Sequence, residues 1–311
     1  MTENLEQTTI VAAVQEFLAH CRFERKLDEK TINAYRFDLK QFVAALEENA
    51  TMVDVTRDYV KQWVTSLSEY RYKTIKRKIA AVNVFLHYLE GEYEDYNNPM
   101  RSLQLRMKAP VRLPVVMTRE EVGRILDQLD TETSAEKGDP QHRFFCVRNQ
   151  AIIELLFGSG MRIGELCGLR NKDVDMQLGQ IRILGKGNKE RVVDICIPVI
   201  LHALRQWIEV RRSKGTPEEH FFTSHRGQGL SPQTIRALVR RLIQECHIDK
   251  HVTPHTFRHT FATLLLEEDV DIAYIQHILG HSSISTTQIY LHVNPLRQRE
   301  ILTNRHPRSR M

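Results

Sequence analysis

Cysteine is sparse and disorganised in this chain: five thiols (Cys21, Cys146, Cys167, Cys196, Cys246), odd in number and with no CxxC pair among them. That pattern excludes a disulfide framework and a cysteine metal clip, and fits reduced thiols in a cytosolic protein. Aromatics are only 7% of the residues, and 14 glycines and 10 prolines are too few for a collagen-like or low-complexity chain. No apolar run approaches the roughly 18 residues of a membrane span. The opening Met1-Thr-Glu-Asn-Leu-Glu-Gln7 is polar and acidic, so neither a signal peptide nor a basic transit peptide is expected. No repeat of 20–50 residues is visible. What remains, 41% hydrophobic and 27% charged residues in a chain of 311, is ordinary globular material and enough for two domains.

A large charge of one sign is also missing, for 44 bases face 39 acids and the net charge is +5. Residues 1–110 hold sixteen of each, so the whole excess lies in the rest of the chain. Phosphate contacts depend on a few aligned side chains more than on totals. The densest local cluster is Arg71, Lys73, Lys76, Arg77 and Lys78. It is either a solvated helix face or a phosphate-binding one.

The first hundred residues carry four apolar stripes at helical spacing. They run Val11 to Cys21 behind Thr8 and Thr9, Ile32 to Leu46 behind Asp28, Tyr59 to Leu67 behind Thr56, and Ile75 to Leu89 closed by Gly91. Between Pro99 and Pro114 the period stops, and two prolines in 106–114 predict an extended linker. Thr118-Arg-Glu-Glu121 then has the form of a capping box opening a helix through Leu129, with a polar surface loop from Thr131 to Gln141. Gln180–Leu184 and Arg191–Ile197, flanking Gly185-Lys-Gly-Asn-Lys189, predict a β-hairpin. Helical patterns follow at about 199–213, 231–246, 255–268, 271–279 and 295–303.

Four segments of the second half hold polar residues that packing does not require. Gly158-Ser-Gly-Met-Arg162-Ile-Gly-Glu165 suggests either backbone N–H groups freed for an anion beside a forked guanidinium or a plain helix-entry turn. Lys186 sits in the hairpin turn, His255 and Arg258 share a helix face, and Leu279-Gly-His281 precedes Tyr290. His251, His255 and His259 have a spacing that can grip zinc. No HExxH glutamate accompanies them, however, and Pro254 interrupts the helix. Arginines, histidines, a lysine and a tyrosine suit metal-free phosphodiester transfer instead. Guanidinium groups stabilise charge on a pentacoordinate phosphorus, a phenol attacks it, and a lysine protonates the leaving oxygen.

These residues resemble the tyrosine site-specific recombinases of the phage integrase family, and the Xer-type members most of all. The resemblance rests on Val252-Thr-Pro-His255-Thr-Phe-Arg258-His-Thr-Phe-Ala-Thr263, Leu279-Gly-His281 through Tyr290, Ser159–Leu166 and Leu184–Arg191. In the first domain it rests on Asp28–Leu39 and Thr74–Val82. It implies a mainly α fold. An all-helical core-binding (SAM-like) domain would span 1–105, a linker 106–116, and a mixed α+β catalytic domain with a small antiparallel β-sheet 117–311, together closing as a C-shaped DNA clamp.

By the same resemblance Arg162 and Arg258 hold the scissile phosphate, Lys186 is the general acid, His255 the general base and His281 the second histidine. Tyr290 is the nucleophile and Glu165 a mostly structural carboxylate. Lys30, Arg36, Arg71, Lys73, Lys76, Arg77, Lys78, Lys189 and Arg191 are implied DNA contacts. No cofactor and no metal are implied. The implied partners are duplex DNA with an inverted-repeat core site and a homotetramer on synapsed DNA, alone or with a paralogous recombinase. A C-terminal segment, Asn294–Leu302, would dock on a neighbour. A cytoplasmic, nucleoid-associated protein without membrane contact is implied, serving either chromosome dimer resolution or mobile-element integration. A type IB topoisomerase or telomere resolvase, and a catalytically decayed DNA-binding protein, are the competing classes. The chain departs from many Xer-type sequences at Leu266-Glu-Glu-Asp-Val270, where they carry glycine, and in the long connector 131–141.

Overall fold

The computed structural model describes residues 7–47, 49–103, 114–135, 139–185, 190–213 and 219–280. The chain divides into two compact units, Met1–Val111 and Arg112–Met311.

In the first unit, polar residues start the helices where the apolar periodicity begins. The Thr9, Asp28 and Thr56 side chains accept from the N–H groups of Ala12, Thr31 and Tyr59. They open α1 (Ile10–Phe23), α2 (Glu29–Val43) and α3 (Arg57–Ser66). Helix α4 (Tyr72–Glu92) runs through Gly91, which was expected to stop it; a Cβ there would meet open space, so the residue is tolerated as an ordinary helical position. Phe17, Ile32, Leu39, Phe42, Val60, Val82, Phe85 and Leu89 are fully buried, and Phe42 meets Trp63 edge-on at 4.9 Å. Pro99–Ser102 forms a 3-10 turn where the period had been expected to end. Of the expected linker only 114–116 are described, without regular structure.

One charged residue of the basic cluster is inside this unit. Asp38 is 1% exposed and binds both Arg77 and Lys78, the latter at 3.1 Å. Lys78 also donates to Gln41 and stands 5.2 Å from the Tyr70 ring centroid. At 7% exposure its ammonium is a buried tie between α2 and α4, and the expectation that it contacts DNA is corrected. A charge at a buried site persists only when paired, and Asp38 supplies that pair.

The second unit is assembled on α6 (Pro140–Ser159), with twelve of its residues buried. Around it lie α5 (Arg119–Ser134), α8 (Pro198–Arg212), α9 (Pro232–Glu245) and α10 (Pro254–Glu267). The Thr118–Glu121 capping box forms as its sequence suggests, with Thr118 N–H on Glu121 Oε2 at 2.7 Å. Helix α5 continues to Ser134 and α6 begins at Pro140, so the expected surface loop 131–141 is cut to a few residues. Trp207, fully buried, donates its Nε1–H to the Phe221 carbonyl at 2.8 Å.

β2 (Gln180–Leu184) and β3 (Glu190–Asp194) pair antiparallel, with Ile183 opposite Arg191. A two-residue strand, β1 (Val174–Asp175), adds to β2. Ile181, Ile183 and Val193 face the core. The second strand ends earlier than expected, because Pro198 opens α8 only four residues later. In the turn after α10, Asp269 adopts φ 62°, so an aspartate takes the left-handed position that a glycine would otherwise fill. Short α7 (Ile163–Gly168) packs against α6 and α9, and α11 (Ile272–Leu279) packs against α10. No helix among the described residues is long and apolar enough to cross a membrane. The expected C-terminal helix lies outside the described residues.

Candidate active site

Arg162, Arg258 and Arg191 arrive from three different elements at one place. Arg258, on the second turn of α10, is 3% exposed. Its Nη1 donates to the Gly160 carbonyl at 2.7 Å and its Nη2 to the Leu279 carbonyl at 2.6 Å. Arg162, two residues beyond Gly160 and at the cap of α7, donates to the next carbonyl along, Gly280, at 3.5 Å. Arg191, on β3, lies against the same glycine, since a Cβ on Gly280 would stand 2.9 Å from Arg191 Cδ. Gly280 ends α11 with φ 63°, so both its backbone and the crowding demand glycine.

Glu165 organises the cations. Its two oxygens accept from Arg191 at 3.0 and 2.8 Å, from the Arg162 side chain at 2.8 Å and from the Arg162 N–H at 2.8 Å. Burial alone would raise its pKa. The hydrogen bonds from Arg191 and the Arg162 N–H outweigh that cost and bring it down to about 2. Of the two readings of the glycine-rich turn, this carboxylate favours the plain helix entry, because Glu165 caps the start of α7 itself. The glycines serve packing: a Cβ on Gly158 would strike Ile200, and one on Gly160 would strike Phe261 and Leu279.

A group whose pKa is depressed on folding stabilises the fold above its unfolded pKa and loses that contribution as pH falls toward the folded value. Between the ordinary 4.5 and about 2, Glu165 therefore contributes of the order of 3 kcal/mol that disappears in acid. Glu165→Gln is expected to lower stability at pH 7 by about that amount. It should also flatten the acid limb of a pH–stability curve from equilibrium denaturation. An unchanged limb would show that the Arg191 pair is not held this way.

His255 occupies the first turn of α10, one turn before His259 and three residues before Arg258. Burial, then the positive charges of Arg258, Arg162 and Arg236, pull its pKa below the ordinary 6.5, leaving the imidazole neutral at pH 7. Arg236, on the exposed side of α9, had no motif to mark it; only folding brings it near His255. His251 lies before Pro254, the first residue of α10, so the three histidines do not share a helix. Among the described residues no three His, Cys, Asp or Glu side chains gather as a metal site. Lys186, Lys189, His281 and Tyr290 lie outside the described residues. In the first unit Lys30, Arg36, Arg71, Lys73 and Lys76 are exposed, and Arg77 is half-exposed beside Asp38.

Comparison with known proteins covers both units. Residues 115–297 match the phage integrase family, and residues 14–92 match the N-terminal SAM-like domain of phage integrases. A tyrosine recombinase of Agathobacter rectalis is 41% identical, over 95% of this chain and 96% of that protein. The tyrosine recombinase XerD of Halalkalibacterium halodurans is 38% identical, over 97% of this chain and 99% of its own length. Among solved structures, XerH recombinase bound to a palindromic difH substrate superposes with TM-score 0.74 at 23% identity, covering 94% of this chain and 83% of that one. With matches across both units and relatives aligned nearly end to end, the chain belongs to the phage integrase family of tyrosine recombinases.

Proposed function

We propose that this protein is a site-specific DNA recombinase that cuts and rejoins duplex DNA through a 3′-phosphotyrosyl link and a Holliday junction. The observation that carries the proposal is the placement of Arg162 and Arg258 on the adjacent carbonyls of Gly280 and Leu279, immediately before His281. Two guanidinium groups held on consecutive carbonyls, Arg258 buried and Arg162 partly exposed, match the charge that develops on a pentacoordinate phosphorus. Tyr290 attacks. A phenol of pKa near 10 needs an acceptor for its proton, and the neutral imidazole of His255 is suited to take it. Lys186 protonates the departing 5′-oxygen, and His281 completes the contacts to the phosphate. Glu165 acts through the arginines, holding Arg162 and Arg191 in place. Transesterification keeps the phosphodiester energy in the covalent link, so rejoining needs neither metal nor ATP.

The helical unit, 1–105, and the catalytic unit, 117–311, joined by 106–116, would each contact the duplex. Four copies, alone or with a paralogous recombinase, would synapse two inverted-repeat core sites, with Asn294–Leu302 docked on the neighbour. The compartment is the cytoplasm, at the nucleoid. The test uses a nicked suicide duplex carrying a site enriched by the protein from random DNA, incubated with chelator. A covalent protein–DNA adduct is expected, together with recombinant circles from a plasmid with two such sites. Absence of adduct, or relaxed circles without recombinants, overturns the proposal.

The exposed cations of the first unit have a separate signature. Each phosphate contact contributes about −0.9 to the slope of log affinity against log salt. Lys73→Ala with Lys76→Ala is expected to weaken duplex binding and flatten that slope by about 2, without loss of fold. Lys78 is left out because it is one of the two cations that pair the buried Asp38. A slope equal to wild type removes both lysines from the interface.

A further inference from the structure

The most exposed large apolar side chain among the described residues is Phe37, at 79%. It stands on α2 in a ridge with Lys30, Asn33 and Gln41, the spacing of three and four that puts residues on one helical face. Gln41 bonds both Lys78 and the Tyr70 hydroxyl, so this ridge runs beside the start of α4. Across 30–41 and 71–80 seven bases are exposed: Lys30, Arg36, Lys40, Arg71, Lys73, Lys76 and Arg77. The only acid in either segment is Asp38, which is buried. A surface with that charge selects a polyanion. An α-helix with a bare ridge fits the major groove, where the thymine 5-methyl is the apolar mark that a phenyl ring can read.

We propose that Phe37 is a specificity-determining residue that reads thymine through its methyl group, with the surrounding cations holding the phosphates on either side. This rests on the recombinase reading above. It assigns to an unpaired aromatic side chain the task that the flanking lysines and arginines cannot perform, since a point charge on a phosphate carries no sequence information.

The experiment begins with enrichment of binding sites from a random duplex library by the wild-type protein. Each thymidine of the enriched duplex is then replaced singly by deoxyuridine, which removes only the methyl. Wild type is expected to lose about fourfold in affinity at one or two positions, the scale of one buried methyl. Phe37→Ala is expected to fold with an unchanged melting temperature, bind random duplex as wild type does, and show no difference between thymine and uracil there. Methyl dependence that survives in Phe37→Ala, or its absence in wild type, overturns the assignment and leaves the recombinase reading intact. A wild-type protein that enriches no sequence overturns the DNA reading of this face and Phe37 with it. A protein-docking role for Phe37 would appear as unaltered site selection by Phe37→Ala, which also overturns the proposal.

Discussion

Replacing Tyr290 by phenylalanine is expected to abolish the covalent adduct on a suicide duplex while leaving duplex affinity unchanged. The substitution removes one oxygen and leaves Arg162, Arg191, Arg258 and Glu165 as they are. Phosphate binding is therefore retained and only bond exchange is lost. Deleting a nucleophile outright costs roughly 10⁴-fold or more in rate, which in a trapping assay reads as no adduct. A suitable control is Tyr274, 68% exposed on α11, the helix whose end at Gly280 receives Arg162. Tyr274→Phe should trap DNA as wild type does. An adduct from Tyr290→Phe that vanishes in the double variant would transfer the nucleophile to Tyr274. The pH profile adds a sign: in its proposed role as proton acceptor, the His255 imidazole must be neutral. Cleavage should be level above pH 7 and fall as pH drops below 6.5 toward the depressed pKa.

The elements most legible in the sequence were those exposed on one side. Helices α1, α2, α3 and α5 present an apolar stripe to a core and a polar face to water. Their starts are written in Thr9, Asp28, Thr56 and Thr118, whose side chains cap them. Helix α6, the centre of the second unit, left no such trace. With buried residues on every side, from Phe144 to Ser159, its hydrophobicity has no preferred face and so no period. The same physics explains Lys78. A run of bases reads identically whether each is solvated or one is turned inward. Asp38, forty residues earlier, had to be brought opposite before the difference existed.

At the candidate site the residue types were legible and their contacts were not. The spacing of His255 and Arg258 already placed them on one face of α10. That Glu165 would bind the guanidinium of Arg191 as well as Arg162 depends on β3 being laid beside α7, a contact across twenty-six residues. Arg236 shows the limit from the other side. On α9 it belongs to an ordinary polar face, and its influence on His255 arises purely from packing. The glycines around Arg162 stayed open between two readings for a related reason. Sequence shows where a side chain is absent, whereas the neighbour that requires the absence, Ile200 or Phe261, is visible only after folding.

Arg258→Lys is expected to reduce single-turnover cleavage by about 10²–10³-fold while largely preserving the fold, whereas Arg258→Ala should lose both. The distinction follows from geometry. The planar fork of Arg258 bridges carbonyls of two chain segments, Gly160 before α7 and Leu279 at the end of α11, and so joins the turn that carries Arg162 to the turn that leads to His281. Alanine leaves two buried carbonyls without a donor, at about 1–3 kcal/mol each, and empties the space of a buried side chain. Lysine keeps the charge and one donor. A single ammonium cannot span both carbonyls, however, nor offer a phosphate two parallel N–H groups. Thermal melts should therefore place Arg258→Lys near wild type and Arg258→Ala well below it, with both far down in adduct formation. If lysine cleaves within about tenfold of wild type, charge alone suffices, and the fixed fork is not what stabilises the phosphorane. If alanine melts with the wild-type protein, the two carbonyls do not depend on Arg258, and the coupling of the Arg162 and His281 turns through this side chain fails.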